Sequence, residues 1–200
     1  MLSRIALLAA LLAVPLAAQV PPAPPMTVPV ADLVKVAIET SEGRIVVALD
    51  RGHAPLTVAN FLRYVDAKRY DGQSFYRAMP YDKGGLIQAG ITSDARLLSK
   101  PVAHEPTSAT GLRNVRGSLA MARLELGTAQ SDFFILTEDI PQFDANASDP
   151  GFAVFGSVVE GMDIADRIFA NPKSPTKGVG VMKGQMLDPA VKILRMSRVK

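Results

Sequence analysis

Val34-Lys35-Val36-Ala37-Ile38-Glu39-Thr40 alternates apolar and polar residues, the period of two that marks a strand with one buried face. Ser41-Glu42-Gly43-Arg44 follows as a turn, with Gly43 able to take positive φ. Ile45-Val46-Val47-Ala48-Leu49 resumes a β-branched run, so residues 34–49 predict a β-hairpin. Downstream, Ala54-Pro55-Leu56-Thr57 opens a helix, since proline at the first helical position forfeits only an N–H that had no partner. Val58, Phe61, Leu62 and Val65 then share one helical face, and Tyr70-Asp71-Gly72 supplies the following turn. A second, shorter helix fits residues 162–169, where Ile164, Ala165 and Ile168 share a face.

The rest is short and β-like, at 74–78, 86–90, 118–122, 133–137, 153–158 and 191–199. Many short strands separated by turn residues predict a barrel or a sandwich. Because the first and last segments are both strongly strand-like, closure into a barrel is favoured, as it removes exposed edges. Residues 107–116, 145–151 and 171–184 are expected to be loops.

The chain has 200 residues, enough for one domain with a substantial core. Its 48% hydrophobic and 20% charged content excludes a disordered polypeptide. The formal charge of +3 is interspersed, with no stripe of Lys or Arg, so nucleic acid is not an expected partner. Cysteine is absent, which excludes disulfides, thiolate metal sites and a thiol nucleophile.

The N-terminus reads as an address. Met1 to Arg4 is a short positive start, residues 5–16 are apolar, and Ala17-Ala18 precede the polar Gln19. That is the pattern of a secretory signal peptide, and the run is too short to span a bilayer, which needs about 20 apolar residues. Residues 1–18 are therefore expected to be removed, giving an exported, periplasmic or secreted protein with no stable membrane insertion. Residues 19–32 carry Pro21, Pro22, Pro24, Pro25 and Pro29, and read as an extended tether. The folded domain is expected over 33–200, as a monomer.

Usual catalytic groups are few. His53 and His104 have no metal-ligand spacing, no Gly-x-Ser-x-Gly turn is present, and no glycine-rich phosphate loop occurs. A different constellation stands out. Phe75-Tyr76-Arg77 sets an arginine beside aromatics, and Leu86-Ile87-Gln88-Ala89-Gly90 follows one loop later. Then come Gly117-Ser118-Leu119-Ala120-Met121-Ala122-Arg123, Ser131-Asp132-Phe133-Phe134-Ile135, Phe143-Asp144 and Phe152-Ala153-Val154-Phe155-Gly156. By alternation, Phe75 and Arg77 are expected on one strand face, as are Leu86 and Gln88. If the strands are neighbours, an arginine and an amide are presented beside Met121 and Phe134. On periodicity alone the plainer reading is preferred: Met121, Phe134 and Phe155 as core and Arg77 as a surface charge.

These segments, in this order from about Val34 to Val199, resemble the cyclophilin family of peptidyl-prolyl isomerases, and its compact bacterial members most. The resemblance implies a mainly β fold, a closed eight-stranded antiparallel barrel capped by two α-helices. It implies catalysis of X-Pro isomerisation in proline-containing polypeptides, with no cofactor and no metal. Position by position, it implies Arg77 as the catalytic arginine and Gln88 as the glutamine that bonds the substrate backbone. Phe134 would sit at the bottom of the proline pocket, with Leu86 and Phe143 as its walls and Ala122 on the groove floor. Phe75, Met121, Arg123, Asp132 and Phe152 complete the substrate-binding set it implies. The sequence also departs from the family at Gly85, where Phe is usual, at Asp132 for Gln, at Arg123 for Asn, and at Phe152 for His. Gln142 takes the place of a Trp that many eukaryotic members use to bind cyclosporin. The alternatives are a non-catalytic module that binds Pro-containing segments, and an envelope-tethered scaffold.

Overall fold

The computed structural model of the protein describes residues 32–199. The expected signal peptide, 1–18, and all of the tether except Asp32 lie outside those residues. Asp32 belongs to the folded unit: its carboxylate receives Arg51 at 2.8 Å, and its carbonyl accepts from the Arg51 backbone N–H.

The expected hairpin forms β1 (Leu33–Thr40) and β2 (Gly43–Asp50), paired from Leu33 opposite Asp50 to Thr40 opposite Gly43. The other strands are β3 (Ser74–Pro80), β4 (Gly85–Gly90), β5 (Ser118–Met121), β6 (Phe133–Leu136), β7 (Val154–Glu160), β8 (Lys173–Ser174) and β9 (Met186–Arg198). Neighbours run β1-β2-β7-β5-β6-β4-β3-β9, all antiparallel, and β9 pairs back onto β1. Eight strands thus close the expected barrel, and no open edge remains along the ring. The two-residue β8 adds a ninth strand beside the start of β9.

The two expected helices are α1 (Pro55–Asp66) and, after the one-turn α2 (Thr107–Thr110) inside the expected loop 107–116, α3 (Met162–Ala170). The first turn of α1 has no acidic residue of its own. Glu105 supplies one from 48 residues away in sequence, accepting the Leu56 and Thr57 backbone N–H groups at 3.1 and 2.8 Å. This satisfies helix-end donors and sets a negative charge at the positive pole of the helix. The Phe61 ring enters the core 5.2 Å from each of Tyr70, Phe133 and Phe155. At the opposite end α3 packs where β2 and β4 begin, with Ile164 against Gly43 and Phe169 against Gly85. Among the described residues no helix is long and apolar enough to cross a membrane.

One irregularity governs the site. Across β3 and β4, Phe75 faces Ala89 but Arg77 faces Gln88, so Tyr76 is an extra residue in β3. This β-bulge resets the side-chain alternation. Phe75 is fully buried in the barrel interior, whereas Tyr76 and Arg77 are both half-buried on the outer side. The expectation that Phe75 and Arg77 share a face is therefore corrected.

Candidate active site

Register alone brings the central residues into one row. Ala120 of β5 faces Phe134 of β6, Phe134 faces Gln88 of β4, and Gln88 faces Arg77 of β3. The row runs across four neighbouring strands on the outside of the barrel. Leu86, two residues from Gln88 and so on the same face, extends it, as the alternation of β4 requires.

Outside this face lies a second apolar cluster, separate from the barrel core. Leu86, Ala120, Phe134, Leu136, Ile140 and Val154 are buried in it, and Met79, Ala122, Phe143 and Phe152 pack against it. The Phe134 ring meets Phe143 at 5.9 Å and Phe152 at 5.3 Å, both near edge-on, and Phe143 and Phe152 are 4.8 Å apart. Edge-to-face packing of this kind holds rings rigidly in a small volume. The result is an open groove of about 570 Å³ with Phe134 and Leu86 in its apolar part and Arg77, Gln88, Tyr76 and Asp132 along its polar side.

The polar side is a directed chain of hydrogen bonds. The Arg77 Nη1 donates to Gln88 Oε1 at 2.8 Å, and Gln88 Nε2 donates to the Tyr76 hydroxyl at 2.6 Å. Tyr76 in turn donates to Asp132 Oδ2 at 2.6 Å, while Ser131 Oγ donates to Asp132 Oδ1 at 3.1 Å. Burial first, then the Asp132 carboxylate, pushes the Tyr76 phenol far up from its ordinary value, so it remains a hydrogen-bond donor at neutral pH. The other edge of Arg77 is held by Gln185, whose Oε1 accepts from Nε at 2.8 Å and Nη2 at 2.6 Å. Burial lowers the Arg77 guanidinium from its ordinary value, with the neighbouring Tyr76 opposing the shift. Among the described residues Arg77 makes no ion pair, so its charge is not cancelled by a carboxylate.

Arg123 completes the opposite rim. Its guanidinium lies 5.3 Å from the Phe152 ring centroid and donates to the Gly151 carbonyl at 2.8 Å. That cation–π contact covers one face of Phe152, and Asp149 Oδ1 accepts from the same guanidinium at 3.3 Å, so the positive charge on this rim is paired.

A family model described as "Cyclophilin type peptidyl-prolyl cis-trans isomerase/CLD" matches residues 35–198. The chain belongs to the cyclophilin family. Its reaction is the cis–trans isomerisation of peptidyl-prolyl bonds. The protein is 42% identical to peptidyl-prolyl cis-trans isomerase A of Dickeya dadantii over 137 residues, 66% of this chain and 70% of that one. It is 37% identical to a peptidyl-prolyl cis-trans isomerase of Acinetobacter baylyi over 147 residues, 72% and 76% of the two chains. In fold it is similar to a solved Cryptosporidium parvum cyclophilin, with TM-score 0.69 and 20% identity over 84% of this chain and 99% of that chain.

Of the residues singled out in the sequence, Arg77, Leu86, Gln88 and Phe134 line the groove, with Ala122, Arg123, Asp132, Phe143 and Phe152 around them. Two do not. Phe75 stacks edge-on against Phe133 at 5.9 Å inside the barrel, and Met121 faces Phe133 in the same core. The bulge explains Phe75. Met121 points inward because Ala120, its neighbour on β5, occupies the outer row with Phe134. The histidines are elsewhere: His53 Nδ1 lies 2.8 Å from Asp50 and His104 Nε2 lies 2.9 Å from the Pro150 carbonyl.

Among the groove residues missed in the sequence are Tyr76, Met79 and Met182, and Gln185, which holds Arg77 from behind, was missed as well. Met79 relates to the departure at Gly85. A Cβ on Gly85 would lie 1.9 Å from the Met79 carbonyl oxygen, and φ is +148°, so no side chain fits there. Met79, two residues after Arg77, supplies an apolar wall instead.

Proposed function

We propose that Arg77 accelerates X-Pro isomerisation by donating a hydrogen bond to the proline nitrogen in the twisted transition state. An amide resists rotation by ~18–20 kcal/mol because the nitrogen lone pair is shared with the carbonyl. As the bond twists, the nitrogen becomes pyramidal and regains that lone pair, which then accepts a hydrogen bond. No covalent bond is made or broken, so a fixed donor suffices. Such a donor acts chiefly on the transition state, because the planar amide nitrogen of the substrate is a poor acceptor.

The observation that carries this reading is the position of Arg77 at the edge of the Phe134 pocket, held on two sides. Three of its five N–H groups are engaged by Gln88 and Gln185 among the described residues, leaving two to donate into the groove. Phe134, Leu86, Met79 and Phe143 suit the apolar proline ring. Gln88 keeps one amide N–H after its bond to Tyr76, and that group would hold the substrate backbone while the other side rotates. The groove therefore takes proline-containing polypeptides, with Asp132 offering a negative charge to flanking residues.

The clients are exported proteins in this reading, supported by the positive start, the apolar residues 5–16 and Ala17-Ala18. Mass spectrometry of the N-terminus of protein from a periplasmic fraction tests this, and an intact Met1 overturns it. For the mechanism, Arg77→Ala is compared with wild type in a protease-coupled X-Pro peptide assay, with folding followed by circular dichroism. Loss of kcat/KM by about 100-fold or more is expected, the scale seen when a preorganised donor is removed. Equal rates would remove Arg77 from the mechanism.

A further inference from the structure

We propose that Gln185 is a positioning residue for catalysis, acting as a neutral brace that fixes the Arg77 guanidinium against the groove. The proposal rests on the reading of Arg77 as the transition-state donor.

Gln185 precedes β9 and is 108 residues from Arg77 in sequence. Its backbone carbonyl accepts from the Ala78 N–H at 2.9 Å, and Met186 faces Arg77 across the β3–β9 pairing. The side chain thereby starts beside Arg77. Its Oε1 takes two N–H groups from one edge of the guanidinium, Nε and Nη2, while Gln88 takes Nη1 on the other. Acceptors on both sides fix the plane of a side chain that otherwise carries large rotamer freedom.

Each amide is itself oriented. Gln185 Nε2 donates to the Val181 carbonyl at 2.8 Å, and a carbonyl can only accept, so Oε1 must turn toward Arg77. Gln88 is set in the same way, because the Tyr76 hydroxyl gives its proton to Asp132 and can only accept from Gln88. The guanidinium is thus gripped by two oxygen dipoles and by no carboxylate. Elsewhere in the fold, arginines such as Arg51, Arg116 and Arg198 are held by aspartates. Neutral braces fix the geometry and leave the positive charge to act on the substrate. The turn that carries Gln185 also lends Met182 to the groove, and the Gln185 N–H donates to the Met182 carbonyl at 3.1 Å, so the brace and part of the wall belong to one turn.

The test uses Gln185→Leu, Gln185→Glu, Arg77→Ala and the Arg77→Ala/Gln185→Leu pair, with peptide isomerisation kinetics and the NMR signal of the Arg77 Nε–H. Gln185→Leu removes both hydrogen bonds to the Arg77 guanidinium and is expected to lower kcat about tenfold or more, with KM within about twofold. It should also shift the Nε–H signal and speed its exchange. Gln185→Glu keeps an acceptor and should restore the Nε–H signal and part of the rate. In the Arg77→Ala background, Gln185→Leu should have no further effect. Gln185→Met, equal in length and without an amide, replaces Gln185→Leu should that variant not fold. Wild-type kinetics in Gln185→Leu, with activity lost in Arg77→Ala, would overturn the brace alone. An equal loss from Gln185→Leu with and without Arg77 would also overturn it. Wild-type rates in Arg77→Ala would overturn the Arg77 reading and the brace together.

Discussion

Replacing Tyr76 by phenylalanine removes a single oxygen that serves two partners. The hydroxyl accepts from Gln88 Nε2 and donates to Asp132 Oδ2, both at 2.6 Å. The two partners differ in what they can do without it. Asp132 is half-buried and can turn an oxygen to water, whereas Gln88 is only 8% exposed. Most of the cost falls on Gln88, whose amide is left with an unpaired N–H, worth about 1–1.5 kcal/mol for a group of this burial. For a chain of this size that corresponds to a Tm lower by roughly 2–6 °C. The activity loss should be larger than a generic surface change would produce. Without the hydroxyl only the Arg77 N–H orients the Gln88 amide, which loses its second anchor and is held less firmly against the guanidinium. A kcat/KM lower by about tenfold, ~1.4 kcal/mol, is expected in the peptide isomerisation assay. Asp132→Asn retains an acceptor for Tyr76 and serves as the control, with a loss of no more than about threefold. If Tyr76→Phe stays within twofold of wild type in kcat/KM and within 1 °C in Tm, the hydrogen-bond chain does not organise the site.

Three further outcomes follow from the geometry. Met121→Leu should leave KM unchanged and cost less than about 1.5 kcal/mol in denaturant unfolding, because Met121 is core and the swap nearly conserves volume; a raised KM would return it to the groove. Gly85→Ala should destabilise the fold by more than about 2 kcal/mol, since its Cβ would overlap the Met79 carbonyl and neither backbone can yield without breaking the β3–β4 pairing. Measured stability within 0.5 kcal/mol of wild type would refute that. Alkaline pH should destabilise the protein. Tyr70 and Tyr76 are both raised above the ordinary phenol value, mainly by burial, so the unfolded chain loses these protons first. Their contribution is intact below about pH 10 and declines above it; a Tm that stays level from pH 8 to pH 11 would contradict this.

Much of the architecture was written in local sequence. The alternation in residues 34–49 sets the hairpin and its register, and Pro55 with Val58, Phe61, Leu62 and Val65 sets α1. The resemblance carried by the motifs implied Arg77, Gln88, Leu86 and Phe134 as one site; the strand pairings set Arg77, Gln88 and Phe134 in one row, with Leu86 on the same face. What could not be read was non-local or irregular. Nothing in Phe75-Tyr76-Arg77 marks the bulge, so a strict period of two put Phe75 on the wrong face and hid Tyr76. β9 starts at Met186, five residues before the expected 191, a start that Asp188 and Pro189, residue types depleted in strands, do not announce. Gln185 carries no local signal at all: its role exists only once β9 has docked on β3. The same holds for Glu105, which caps a helix 48 residues away.

The pairing of β1 with β9 joins the first strand of the domain to the last, Val36 opposite Arg198. A polypeptide made from its N-terminus onward therefore cannot complete this ring until β9 has been made and is free. Until then β1 and β3 each lack a partner, and the aromatic interior has no lid on that side. Synthesis and closure are thereby coupled: the ring cannot shut before β9 exists, so every shorter length of the domain remains an open sheet.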